Sequence, residues 1–168
     1  MFNSLKYELL IKQYRSKIYG YAFYMLKNRM DADDITQEVF IRIWKNIDKF
    51  NLNSAKSWIM KTTHNLCIDY LRKNQISAVR QSNIEEEIIL TDEEVMYKKN
   101  LLKERIREGI ESLPENLKSI FVLYELQGFK YAEISKTFNL PINTVKVYLM
   151  RARKKLQEEL KELKHETV

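Results

Sequence analysis

Only three glycines and two prolines punctuate the 168 residues of this chain. Sheet proteins reverse direction every few residues, and Gly and Pro are the residues that turn most readily. A chain this poor in both favours long helices over short strands. The rest of the composition agrees: Lys, Glu and Leu, all strong helix formers, are abundant. The expected class is all-α. The length suits one medium domain or two small ones of about 70 residues each.

Charge divides the chain further. Residues 1–77 carry 13 Lys/Arg against 7 Asp/Glu, residues 78–100 carry 3 against 6, and residues 101–168 carry 13 against 10. Two basic lobes therefore flank an acidic middle. Basic lobes suit nucleic acid, whereas the acidic middle does not suit a phosphate backbone. Cys67 is the one cysteine, so no internal disulfide can form, and two histidines leave no zinc site. The start, MFNSLKYELL, lacks the apolar core and cleavage site of a signal peptide. No apolar run approaches the roughly 20 residues of a membrane span. A cytoplasmic protein with no cofactor and no membrane insertion is expected.

Periodicity places the helices. The first runs over about 5–27, with Leu5, Leu9, Ile18, Phe23 and Leu26 at helical spacing beside the aromatics Tyr19, Tyr21 and Tyr24. The second runs over about 31–48, with Ile35, Val39, Phe40, Ile43 and Ile47 on one arc. Its opposite arc carries Asp34, Gln37, Glu38, Ile41 and Lys45. Ile41, ringed by polar groups, is either a lone exposed aliphatic or a docking point for another protein's helix. A third helix over about 54–73 turns Ile59, Leu66 and Tyr70 inward, with Thr63 and Cys67 beside them. Its other side carries Trp58, Lys61, Asn65, Asp69 and Arg72. A ring among cations can stack an unpaired base while the cations hold phosphate. The alternative folds Trp58 back onto the second helix, and the two readings are compatible.

Residues 75–91 lack an apolar period and read as a linker. A fourth helix follows over about 92–111. Pro114 then opens another in its first turn, and Gln127-Gly128 ends it.

The segment 131–150 has the pattern of a helix-turn-helix. Ser135 is the small residue where the helices touch, and Asn139 can take the left-handed turn. Ile134, Phe138, Leu140 and Val145 lock the pair, and Pro141 stops the first helix. Asn143 or Thr144 can cap the second helix, expected over about 143–163. Lys146, Arg151, Arg153, Lys154 and Lys155 all precede its first acid, Glu158. Such a half-helix can enter a major groove with phosphates on either side. Asp31, Asp34 and Glu38 lie at i, i+3 and i+7, yet nothing completes a metal ligand set. His64 has no nucleophile or base partner in the pattern, so no enzyme is expected.

Taken together these motifs resemble the extracytoplasmic-function sigma factors of the sigma-70 family. Asp31 to Phe40 resembles region 2.2. Trp58 through Asn65 and Asp69 to Arg72 is similar to regions 2.3 and 2.4. Leu113-Pro114, Gly128 to Ser135 and Pro141 to Leu156 resemble region 4. The resemblance implies a region 2 domain over 1–76, a flexible acidic linker over 77–98 and a region 4 domain over 99–168. It implies that Asp31, Asp34, Gln37, Glu38 and Ile41 bind the clamp helices of the polymerase β′ subunit. Lys56, Trp58, Lys61, Asn65, Asp69 and Arg72 would recognise and melt the −10 element. Asn143, Thr144, Lys146, Val147, Arg151, Arg153 and Lys154 would read the −35 duplex beside the β flap. Core RNA polymerase, promoter DNA and an anti-sigma factor are the implied partners of a chain that is monomeric when free. The sequence departs from the pattern at His64, where the family often has Arg. It departs again at Asn143-Thr-Val-Lys-Val-Tyr148, where the family often reads Gly-Thr-Val-Lys-Ser-Arg. An altered promoter preference follows. Two other readings stand beside this one. A stand-alone helix-turn-helix regulator would leave 34–41 and 58–72 idle, and a helical adaptor would bind only protein.

Overall fold

The computed structural model describes residues 1–77 and 94–166, and every regular element among them is helical. The helices are α1 (Phe2–Leu26), α2 (Arg29–Lys45), α3 (Leu52–Ser77), α4 (Glu94–Ser112), α5 (Glu115–Phe121), α6 (Tyr131–Phe138) and α7 (Ile142–Glu166). A 3-10 turn, Ile47–Lys49, precedes α3, and a π-helical turn, Val122–Leu126, prolongs α5. The all-α expectation holds. The expected linker falls largely on residues 78–93, outside the described residues.

The first lobe is a three-helix unit in which α1 packs along both α2 and α3. Its tight α1–α2 corner has a local cause. Lys27 adopts a left-handed conformation at φ 58° and ends α1. Asn28 then caps α2 by accepting the Asp31 N–H at 3.0 Å. Ile35, Val39, Ile43 and Ile47 are buried as their spacing predicts, while Phe40 is half-buried. In α3 the inward stripe is Ile59, Met60, Thr63, Cys67 and Ile68, and Leu66 and Tyr70 reach only its edge. Thr63 is satisfied there by donating to Ile59 O at 2.8 Å.

The α1 stripe corrects the sequence reading. Leu5 and Leu9 are 57% and 55% exposed. The buried line is instead Leu10, Tyr14, Ile18, Tyr21 and Met25. Aliphatic spacing alone misses it because two of its members are tyrosines.

The second lobe packs α5, α6 and α4 around α7. Pro114 is the N-cap of α5 rather than its first residue. Gly128, at φ 72°, turns the chain after the π-helical turn into α6, which any Cβ would strain. α7 begins at Ile142, so neither Asn143 nor Thr144 is its cap; both lie inside the first turn. The buried side chains of both lobes form one continuous cluster running from Leu10 to Leu156.

Candidate nucleic-acid interface

On the outer face of α2, Asp34, Gln37 and Ile41 are exposed and Glu38 is half-buried. Arg42 Nε meets Glu38 Oε1 at 3.0 Å along the same face. Asp31 departs from this group. It sits half-buried in the first turn, near Tyr70 of α3, whose pKa is raised by burial first and then by Asp31. One residue escaped the sequence reading. Trp44, one turn beyond Ile41, is 49% exposed and lies edge-on to Tyr7 at 5.1 Å between centroids. Its i, i+3 spacing from Ile41 was the available signal. The face is acidic with an apolar edge, a chemistry suited to a basic, apolar-striped helix.

Lys61, Asn65, Asp69 and Arg72 lie exposed along the outer face of α3. Trp58 is half-buried and edge-on to Phe50 at 4.6 Å, so it packs against the segment before α3. Beside it opens a cleft of about 350 Å³ whose lining includes Lys49, Phe50, Trp58, Lys61 and, from α6, Lys136. Aromatic walls ringed by ammonium groups suit an unstacked base and its flanking phosphates. Lys56 is not part of this surface. At 100° per residue it points to the opposite side of α3 from Trp58 and Asn65. There its ammonium pairs with Glu133 of α6. His64 also faces inward. Its Nδ1 hydrogen-bonds the Tyr21 hydroxyl at 2.7 Å, and burial pushes its pKa down to about 4. A neutral ring is what this setting admits, which accounts for a histidine where the resembling pattern carries Arg.

The helix-turn-helix forms as its turn chemistry predicts. Asn139 is left-handed at φ 52° and ψ 48°, and Ser135 Oγ donates to Leu140 O at 2.5 Å across the turn. Ile134 and Val145 are buried at the contact, with Phe138 and Leu140 half-buried. On α7, Asn143, Lys146, Val147, Arg151, Arg153 and Lys154 are exposed and Thr144 is half-buried. Asn143, Val147, Arg151 and Lys154 fall on one narrow arc. Met150, 61% exposed, shares that arc and was missed because methionine reads as core by default. Arg153 and Lys146 flank the arc and are engaged elsewhere. Arg153 Nε donates to Glu125 at 2.6 Å and its guanidinium covers the Tyr124 ring. Lys146 lies 5.4 Å from the Tyr131 ring, and the two tyrosines stack at 4.7 Å.

Among the described residues, no group of His, Cys, Asp and Glu could hold a metal ion. Cys67 is buried, and burial lifts its thiol pKa to about 12, leaving it protonated and unreactive. No described helix is long and apolar enough to cross a membrane.

Comparison with known proteins places these surfaces in context. Residues 10–76 match the family model of sigma-70 region 2, and residues 103–156 match that of sigma-70 region 4. The chain is 30% identical over 169 residues to the ECF RNA polymerase sigma factor SigW of Bacillus subtilis, covering 92% of this chain and 88% of SigW. It is 29% identical over 170 residues to the ECF RNA polymerase sigma-E factor of Escherichia coli, covering 94% and 87%. It is 26% identical to SigE of Mycolicibacterium smegmatis, of whose length it spans 63%. Among solved structures, it resembles the sigma factor RpoE of Bartonella quintana bound to the anti-sigma factor NepR, with a TM-score of 0.73 at 19% identity over 92% of this chain and 96% of that one. It also resembles CnrH in complex with the cytosolic domain of CnrY, with a TM-score of 0.70 at 19% identity over 93% and 88%.

Proposed function

Because the chain belongs to the extracytoplasmic-function RNA polymerase sigma factors of the sigma-70 family, we propose that it directs core polymerase to a specific set of promoters through three surfaces, catalysing nothing itself. The face of Asp34, Gln37, Glu38 and Ile41, extended by Trp44, docks on the β′ clamp helices. The outer side of α3, with its Trp58–Phe50 cleft, holds the unpaired −10 strand. The exposed arc of α7 reads the −35 duplex while the second lobe lies on the β flap. Residues 1–76 and 99–168 act as the two domains, with 77–98 between them.

One observation carries this reading. A single chain combines an aromatic and cationic cleft suited to an unpaired base with a helix-turn-helix suited to a duplex. A stand-alone regulator needs only the second. The likeness to a sigma factor solved with an anti-sigma factor supports the further reading that this chain is held by such a factor in the cytoplasm until released.

Binding to core RNA polymerase tests the proposal. Glu38→Lys with Ile41→Asp changes two side chains outside the core, so the variant folds. Its affinity for core falls by about a hundredfold or more, the order expected when an apolar anchor is lost and a charge is reversed at one interface. Well-folded wild type that fails to bind core returns the chain to the stand-alone regulators.

A further inference from the structure

The segment between α2 and α3 forms one wall of the aromatic cleft, and it is tied down from far away in sequence. It carries Lys49 and Phe50, and the Phe50 ring meets Trp58 edge-on at 4.6 Å. Local bonds secure its two ends. The Asn46 N–H and side-chain amide both donate to Arg42 O, at 3.2 and 2.8 Å, closing α2. Asn51 Oδ1 accepts the Asn53 N–H at 3.1 Å, and Asn51 O accepts the Ser54 N–H at 3.0 Å, opening α3. Between these ends the chain is held by the first turns of α1. Lys6 Nζ donates to Ile47 O at 2.9 Å and to Phe50 O at 2.5 Å. Asn3 Nδ2 donates to Asp48 Oδ1 at 2.6 Å.

One ammonium therefore spans the 3-10 turn, gripping a carbonyl on either side of Asp48 and Lys49. Both bonds are charge-assisted and partly buried, which makes them stronger than neutral ones. Ile47 needs little such help, because its side chain lies in the core. Phe50 does need it. Half-buried, it has the Trp58 ring against its own ring and the Lys6 ammonium on its carbonyl. Lys6 is not among the residues that line the cleft, so it acts on the cleft only through this backbone.

A pocket for an unpaired base discriminates only if its walls stay in place when the wrong base enters. A wall free to move re-packs around any ring, whereas a wall fixed beforehand leaves the wrong base's polar edge unmatched. The Phe50 wall stands on a connection, 46–51, whose regular structure is a single short turn. Its position against Trp58 rests on the ties from α1.

We propose that Lys6, aided by Asn3, is a positioning residue for base reading: it holds the Phe50 wall against Trp58, so that the cleft is formed before the −10 strand arrives. This role rests on the sigma reading of the cleft, while the tie itself can be read without DNA. In a Trp44→Phe chain Trp58 is the one tryptophan left. There Lys6→Met, which keeps the stem and loses the donors, should raise the quenching of Trp58 emission by iodide. Lys6→Arg, whose guanidinium can serve both carbonyls, should return it. With Trp44 intact, holoenzyme binding is then compared on promoters whose −10 element is already unpaired, one base varied at a time. Lys6→Met should lose about tenfold of the wild-type preference for the correct base, and Lys6→Arg should recover it. Helicity and core affinity should stay at wild-type values. A merely structural lysine would lower the urea midpoint and leave the preference intact. Full preference in Lys6→Met, or no recovery in Lys6→Arg, overturns the role. Should Lys6→Met not fold, Asn3→Ala removes only the exposed tie and must show a smaller loss of the same kind; an unchanged preference there overturns it too. A wild-type holoenzyme that prefers no base sinks the sigma reading of the cleft and this role with it, whereas a preference that survives the loss of the tie sinks the role alone.

Discussion

Asn139 and His64 mark the two extremes of what a single residue reveals. Asn139 sits at φ 52° in the helix-turn-helix, a conformation that few side chains accept, and its identity announced the turn. Replacing it with Val should cost about 1–2 kcal/mol in urea unfolding, whereas Gly should be nearly neutral, since only the Cβ penalty differs. His64 announced nothing, because its partners Tyr21 and Phe138 are remote in sequence. Its folded pKa, about 4, lies below the ordinary 6.5. The unfolded chain therefore takes up the proton first as pH falls. The stability from neutral His64 is full above pH 6.5, declines through the window from 6.5 to about 4, and is gone below it. The ceiling is on the order of 3 kcal/mol. Thermal melts across that window should show wild type losing stability relative to His64→Gln; parallel curves would mean that the ring is not buried in neutral form.

At the scale of an element, α7 shows how periodicity and packing divide the work. Its buried line of Val145, Leu149, Ala152 and Leu156 was set by the heptad-like spacing of the sequence, and the opposite arc then had to face outward. Which outward residues remain available to a base was not so set. Arg153 is exposed but held by Glu125 and Tyr124, so its guanidinium is tied to the preceding helix. Val147 and Met150 leave an apolar edge on the reading arc, 38% and 61% exposed. Such an edge is chemically suited to thymine methyl groups. Replacing thymines of the −35 element with deoxyuridine should weaken wild-type binding by about 1 kcal/mol per contacted methyl. A Val147→Ser, Met150→Gln variant should be indifferent to the replacement. Equal sensitivity in wild type and variant would remove both residues from base reading. By the same argument, the altered recognition motif, with Val147 and Tyr148 where the family often has Ser and Arg, should make a generic family promoter bind poorly, which full activity on such a promoter would refute.

For the whole molecule, affinity depends on how two weak readers are joined. Each lobe alone offers few phosphate contacts, and tethering both to one polymerase multiplies their effective concentration at the promoter. The free chain should bind a two-element promoter duplex at least about a hundredfold more weakly than the holoenzyme does. Tight, sequence-specific binding without polymerase in an electrophoretic shift assay would contradict this. How the lobes meet also divides what could be foreseen from what could not. By itself the sequence determined the helical class, most of the buried stripes, the helix-turn-helix turn and the exposed faces of α2, α3 and α7. Those follow from signals within a few residues of one another: scarce Gly and Pro, a repeat near 3.6, a residue that accepts positive φ. Only the tertiary structure decided that Lys56 turns away from the α3 cleft to Glu133, that Asp31 turns to Tyr70, that Leu5 and Leu9 stay exposed while Tyr14 and Tyr21 enter the core, and that Arg153 is already committed. Periodicity states which side of a helix is unlike the other. What that side meets depends on chain segments tens of residues away, whose approach is a property of packing.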